Sequence, residues 1–430
     1  MPHKTSFLYA FLKPWVNLGA RLFFRRIEVD FIEKLPTDKP VILVANHQNA
    51  MLDPVVTCLY SRKQLHWLTR ADIFRKPSLN KLLRSLNMLP VYRERDRVSD
   101  LAERNAETFN ECYDRLSHHS VICIFPEGTH RGKKQLVPLK KGAARLVTGA
   151  LDAGIHDIQI VPIGLDYENY YQYRKNLLVR FGDPIDIERE QLLSGNDRAR
   201  LQTILTDKIR IALSSVMIDI KNDDVYDEIT SLRYLINQAS GETTLGGQFD
   251  YYKKFTLAVE DKEDHLHFLR HEVRNWFSLS HRLKISDDLF AERTSPLLTL
   301  WLLLGLPFAA FSAIVFYPIY GLTENFVKSK VKDPLFRNSI RLVFWTFLSP
   351  ILLLLLFGFL KLVGCTNFGS WITVFSAVLS GVISLYWWQG WKCWRHQQYC
   401  ASLSKAKNQE FTEWLNGRSQ ILSWLKKVME

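Results

Sequence analysis

The chain has 430 residues, 47% hydrophobic and 13% aromatic, and a formal net charge of +12. It can bury a full catalytic core with roughly 200 residues left over, which predicts more than one domain. The basic balance suits an anionic partner such as nucleic acid, phospholipid headgroups or a phosphorylated cofactor; no recognisable nucleic-acid-binding motif accompanies the charge, and the hydropathy favours lipid.

From Ser6 to Phe24 the chain is apolar but interrupted by Lys13 and Arg21, with no clean hydrophobic run before a small-residue cleavage site, so neither a signal peptide nor a span is expected. Its aromatics Phe7, Tyr9, Phe11, Trp15, Phe23 and Phe24, followed by Arg25-Arg26, predict a helix lying in the headgroup layer. The alternative is an amphipathic helix packed on the domain that follows. Ile27 to Phe31 alternates apolar and acidic residues and reads as an edge or half-exposed strand. Val41-Ile42-Leu43-Val44 reads as a short buried strand that opens through Ala45-Asn46 into His47 and on to Asp53.

Leu65 to Thr69 is a further strand, Ser78 to Met88 a helix after Pro77, and Pro90-Val91-Tyr92 leads to Arg93. Ser99 to Ser117 has helical composition. Val121 to Phe125 is a second apolar strand, running into Pro126-Glu127-Gly128-Thr129-His130-Arg131-Gly132. A helix over 139–151 and strands over 158–165 and 177–181 complete an alternation that predicts an α/β fold, a mixed, largely parallel sheet flanked by helices. If the strands at 41 and 121 are parallel neighbours, their carboxyl ends face one crevice. His47, Asp53 and Glu127 would then meet Arg131, Lys133 and Lys134 there.

In order and spacing, Asn46-His47 with Asp53, Pro90-Val91-Tyr92-Arg93, Phe125-Pro126-Glu127-Gly128-Thr129 and Ile160-Val161-Pro162-Ile163-Gly164 resemble the four motif blocks of the glycerophosphate and lysophosphatidate acyltransferase superfamily, over roughly residues 25 to 185. The family's first block has four residues between His and Asp; here Gln48, Asn49, Ala50, Met51 and Leu52 make five, as expected of the fungal-type glycerol-3-phosphate and dihydroxyacetone-phosphate branch. His130 stands where the family places Arg after Glu-Gly-Thr, with Arg131 one step later. The resemblance implies a glycerolipid acyltransferase-like domain, acyl-CoA or acyl carrier protein as co-substrate with no bound cofactor, and Arg93, Glu127, Gly128, Thr129 and Arg131 as acceptor-binding residues.

Acyl transfer to an alcohol needs a base for the hydroxyl, and His47 with Asp53 to fix its tautomer is the candidate pair. No serine or cysteine sits in a nucleophile-elbow context, so direct attack of the acceptor on the thioester is expected. In regular helix Asp53 would lie nearly two turns beyond His47, so the pair must meet through a loop or bulge. A guanidinium at Arg93 suits phosphate; Arg97, and with it Arg95, can instead belong to a solvated run with Glu94 and Asp96. Lys140-Lys141 could meet a 3′-phosphate of coenzyme A, or simply be a solvated face. No metal is expected: His118-His119 has no partner at ligand spacing. The six cysteines (58, 112, 123, 365, 393, 400) form no Cys-x-x-Cys pair and read as reduced packing residues of a cytosol-facing protein.

The expected organisation is an interfacial helix (1–24), a catalytic domain (25–215), a helical connecting region (216–295), a membrane block (296–395) and an amphipathic tail helix (396–430). Pro296 to Tyr320, Leu342 to Leu360 and Trp371 to Trp391 carry no charge over 25, 19 and 21 residues, each near the length that crosses a bilayer. The expected setting is thus an integral membrane protein with its catalytic domain in the cytosol, whose partners are the bilayer, an acyl-thioester donor and a glycerophosphate acceptor, and not nucleic acid. Five basic residues between 321 and 341 and seven after Trp391 conflict with three full crossings. A break at Gly305-Leu306-Pro307 into a re-entrant hairpin would leave two. The leading function is acylation of glycerol-3-phosphate or dihydroxyacetone phosphate. Acylation of lysophosphatidate, or a catalytically inactive lipid-binding module, are the alternatives.

Overall fold

All five residues of Val41–Ala45 are completely buried, which a strand achieves only with cover on both faces of its sheet. The computed structural model describes residues 6–61, 63–93, 96, 98–195, 197–290 and 295–430. Its strands are β1 (Ile27–Asp30), β2 (Val41–Ala45), β3 (Leu65–Arg70), β4 (Met88–Val91), β5 (Val121–Ile124), β6 (Gln159–Tyr167) and β7 (Leu177–Phe181). They form one sheet in the order β1-β7-β6-β2-β5-β3-β4, parallel at every step except β6 with β7. This is the expected α/β architecture with a mixed, largely parallel sheet.

The helices around the sheet are α1 (Phe7–Phe23), α2 (Leu52–Tyr60), α3 (Pro77–Ser85), α4 (Leu101–Ser117), α5 (Gly142–Asp152), α6 (Ile187–Ser194) and α7 (Arg198–Val216). Ile42, Val44, Ile122 and Ile160 pack with Cys112 and Leu116 of α4, Leu146 and Val147 of α5, and Leu205 and Ile209 of α7 in one cluster. On α1, Tyr9 is buried and its hydroxyl accepts from Leu65 N (3.4 Å) and Cys58 Sγ (3.3 Å). The same helix leaves Phe7 84%, Phe11 61% and Leu18 50% exposed. It is therefore packed on the domain along one side and apolar toward the outside along another.

Two local expectations are corrected. The helix after Pro77 ends at Ser85 rather than Met88, because Asn87 takes a left-handed backbone (φ 63°) and Met88 then enters the sheet as β4. The helix expected from 139 begins only at Gly142. Lys140 lies outside it, with its N–H given to Pro126 O (2.9 Å) in the loop.

The chain divides into two units, Met1–Asp219 with Asp333–Ser339, and Ile220–Lys332 with Ile340–Glu430. The second is helical: α8 (Tyr226–Ser231), α9 (Arg233–Ser240), α10 (Leu245–Glu260), α11 (Glu263–Phe268), α12 (Arg274–Leu283), α13 (Asp287–Phe290), α14 (Pro296–Lys330), α15 (Pro334–Leu362, whose first residues, 334–339, belong to the first unit), α16 (Asn367–Lys405) and α17 (Gln409–Met429). Trp414 of α17 is completely buried, stacks on Trp276 of α12 and donates to Ser280 Oγ (2.7 Å). Helices α14, α15 and α16 are long and apolar enough to cross a membrane. The expected break in the first of them is absent: α14 runs unbroken for 35 residues through Pro307 and Pro318. Gly305 serves packing instead, since a Cβ there would lie 2.6 Å from Trp387 Cδ1 of α16. The indole N–H of Trp387 donates to Leu302 O (2.8 Å), which ties α16 to the backbone of α14.

Candidate active site

Strands β2 and β5 are parallel and in register, Val44 opposite Ile124. Three residues beyond each lie His47 and Glu127, so the register alone sets them face to face. The His47 N–H donates to Glu127 Oε1 at 2.6 Å. Between strand and histidine, the buried Asn46 acts as a clamp: its Nδ2 donates to Leu165 O (3.1 Å) and its Oδ1 accepts from Leu165 N (2.7 Å) on the neighbouring β6.

The five residues from Gln48 to Leu52 do not form two helical turns. Ala50 adopts a positive φ of 44°, Leu52 N bonds back to Asn49 O (2.9 Å), and α2 starts only at Leu52. This loop wraps the carboxylate of Asp53, which is completely buried. Asp53 Oδ2 accepts from Gln48 N (2.8 Å), Asn49 N (2.8 Å) and His47 Nδ1 (2.9 Å). A carboxylate with these donors accepts the Nδ1 proton of His47 and leaves Nε2 as the basic nitrogen. The imidazole is about one-fifth exposed and lies between Phe125 (ring centroids 4.5 Å apart) and His130 (5.4 Å).

Glu127 is buried, and its Oε2 faces Val137 N at 3.5 Å. Burial pushes its pKa up to about 7, against the opposing pull of the His47 and Val137 amides. Gly128 turns the chain at φ 67° beneath Lys140, a conformation that favours glycine. Thr129 and His130 are half-buried, Arg131 is exposed, and among the described residues Arg131 has no carboxylate partner. Lys134, placed by sequence in the same crevice, is buried and ion-paired to Asp166, with Nζ also donating to Tyr167 O (2.8 Å). Arg93 grips Asp96 through Nη2 (2.9 Å) and Nε (3.3 Å) and has Asp72 Oδ1 at 3.8 Å. Arg95 and Arg97 lie outside the described residues. Lys140 and Lys141 are exposed, and Lys141 Nζ donates to Thr203 Oγ1 (3.2 Å).

Residues 26–166 match the family model described as Acyltransferase. The chain carries an acyltransferase-family domain. Its sequence is 36% identical over 83 residues to glycerol-3-phosphate O-acyltransferase 1 of Saccharomyces cerevisiae (19% of this chain, 11% of the relative), and 29% identical over 134 residues to glycerol-3-phosphate O-acyltransferase 2 of that yeast (30% and 18%). It is 26% identical over 164 residues to the chloroplastic 1-acyl-sn-glycerol-3-phosphate acyltransferase BAT2 of Brassica napus (38% and 43%). The aligned stretches thus span less than a fifth of the length of the two yeast relatives. Among solved structures, the 1-acyl-sn-glycerophosphate acyltransferase PlsC of Thermotoga maritima aligns with a TM-score of 0.36 at 16% identity, covering 49% of this chain and 78% of that one.

Sequence reading missed the amides of Gln48 and Asn49 as ligands of Asp53, the Asn46 clamp, and the partner of His130, which is Asp333 with Oδ2 2.9 Å from His130 Nε2. Asn46 was visible as the residue before the motif histidine. Asp333, 203 residues from its partner, carries no local signal.

Proposed function

We propose that the protein transfers a fatty acyl group from an acyl thioester to the hydroxyl of a glycerophosphate acceptor, glycerol-3-phosphate or dihydroxyacetone phosphate, at a bilayer surface. The observation that carries this reading is His47 tied through Nδ1 to a buried carboxylate that also receives two backbone amides, at the carboxyl end of the central strand of an acyltransferase-family domain. His47 Nε2 takes the acceptor proton as the hydroxyl oxygen attacks the thioester carbonyl. The new ester bond forms as the C–S bond breaks, and the departing thiolate receives the proton. Asp53 holds the ring and stabilises the imidazolium. Glu127 acts on the acceptor through the two loops it ties together, Gly128 and Thr129 line the turn beside them, and Arg93 and Arg131 supply positive charge for phosphate. Acyl-CoA or acyl carrier protein delivers the acyl group. The exposed apolar residues of α1 lie in the headgroup layer, and the long apolar helices anchor the enzyme with its catalytic domain in the cytosol.

A second reading, acylation of lysophosphatidate, is favoured by the similarity to the Brassica napus enzyme. Assays of the detergent-solubilised full chain with glycerol-3-phosphate, dihydroxyacetone phosphate and lysophosphatidate separate the two. His47→Ala is expected to lower kcat by about 10²–10⁴ in a sample of unchanged secondary structure, and Asp53→Asn nearly as much. Near-normal turnover in folded His47→Ala would overturn the mechanism.

A further inference from the structure

Asp333, at the end of the short link after α14, and the first residues of α15 (334–339) belong to the same unit as the sheet, and four contacts fasten them to it. Gly132 has φ 64°, and a Cβ there would lie 2.7 Å from Leu335 Cδ2, so glycine is what admits that leucine. Phe336 meets the His130 ring edge-on with centroids 5.3 Å apart. Asn338 Nδ2 donates to Tyr170 O (3.0 Å), and the Tyr170 hydroxyl donates to Oε1 of Gln48 (2.5 Å), the residue after His47. Asp333 places Oδ2 2.9 Å from His130 Nε2, while its Oδ1 accepts from Leu335 N (2.9 Å).

Burial pushes the Asp333 carboxyl up, but the His130 and Leu335 donors bring it below its usual range. Asp333 is therefore an ionised acceptor, and His130 carries a proton on Nε2. The site thus holds two imidazoles, each pinned by a carboxylate through one nitrogen: His47 by Asp53 through Nδ1, His130 by Asp333 through Nε2. Their ring centroids are 5.4 Å apart, a separation comparable to the span between the reacting hydroxyl and the phosphate of a three-carbon acceptor. An acceptor whose hydroxyl meets His47 Nε2 therefore brings its other end to the neighbourhood of His130. The ring atom His130 still has for that contact is Nδ1, which donates to an anion once it carries the ring's second proton, so the contact is made by the imidazolium paired with Asp333.

We propose that Asp333, from the connector between two apolar helices, is a positioning residue that holds His130 beside His47 so that the His130 imidazole hydrogen-bonds the anionic group of the acceptor. This rests on the acyl-transfer reading above, and it places part of the acceptor site in a segment some 200 residues away from the motif blocks.

The test is a double-mutant cycle on the purified full chain with Asp333→Asn, His130→Gln and the double variant, varying glycerol-3-phosphate and the acyl thioester in turn. Each single change is expected to raise the acceptor KM about tenfold, the size of one hydrogen bond to a charged group. Donor KM and kcat at saturating acceptor stay within about twofold. The double variant should be no worse than His130→Gln, because Asp333 acts only through that ring. Additive losses, or a fall in kcat with acceptor KM unchanged, overturn the proposal. Should Asp333→Asn fail to fold, His130→Gln decides by itself, and an unchanged acceptor KM in that folded variant is equally fatal. A wild-type chain that acylates no phosphate-bearing acceptor overturns the acyl-transfer reading and this one with it; an active wild type with unaltered variants overturns this one alone.

Discussion

Asp53 and Glu127 are both buried next to His47, but their oxygens meet different surroundings. One oxygen of Asp53 collects three donors, whereas Glu127 has a single short N–H at Oε1 and a long one at Oε2. For Glu127 burial wins and its pKa reaches about 7. A carboxyl raised from its unfolded value of about 4.5 contributes stability that is complete below that value and lost as pH rises through about 7, a change on the order of 3 kcal/mol. Glu127→Gln should therefore flatten the fall in thermal midpoint between pH 4.5 and 7; an unchanged slope would show that Glu127 is not the group responsible. Arg93 presents the reverse situation, a guanidinium already occupied by Asp96. If the acceptor phosphate exchanges with that carboxylate, Arg93→Ala raises acceptor KM severalfold and leaves the thioester KM alone. Unchanged acceptor kinetics in Arg93→Ala would remove it from the phosphate site.

At the scale of elements, turns carry the site and glycine sets how closely they approach. Gly132 and Gly154 both have positive φ, but of the two only Gly132 has neighbours against it, Leu335 and the Tyr171 hydroxyl. Gly154→Ala is expected to cost about 1 kcal/mol of backbone strain, and Gly132→Ala about 2–3 kcal/mol, because Leu335 and the Tyr171 hydroxyl must also move. Comparing thermal midpoints in detergent isolates the packing share, and equal losses would mean that Leu335 and Tyr171 do not press on that loop. The helix after Pro77 teaches a related lesson. Its composition runs on to Met88, yet the left-handed Asn87 stops it and frees Met88–Val91 to pair with β3, a decision that helix propensity does not contain.

For the molecule as a whole, Asp333 and the start of α15 belong to the same unit as the sheet, and the proposed cytosolic setting puts the link between α14 and α15 on the face that exposes that unit. A cysteine at Ser329, in a Cys365→Ser background, is expected to label from the face that exposes the catalytic domain in sealed vesicles of known orientation; labelling from the other face would exclude that arrangement. The sequence alone determined what is written locally: alternating strands and helices, the His47 and Phe125-Pro126-Glu127-Gly128 blocks at strand ends, and three charge-free stretches of spanning length. Those follow from periodicity, turn chemistry and the length of an apolar run, each of which is a property of neighbouring residues. Tertiary structure decided the rest. The loop of Gln48 and Asn49 closes on Asp53, Glu127 turns inward to a backbone amide, Trp387 packs against Gly305 of α14, and Asp333 reaches His130 across 203 residues. Each depends on which distant groups are buried together, since a polar group removed from water must find its partner wherever the fold supplies one.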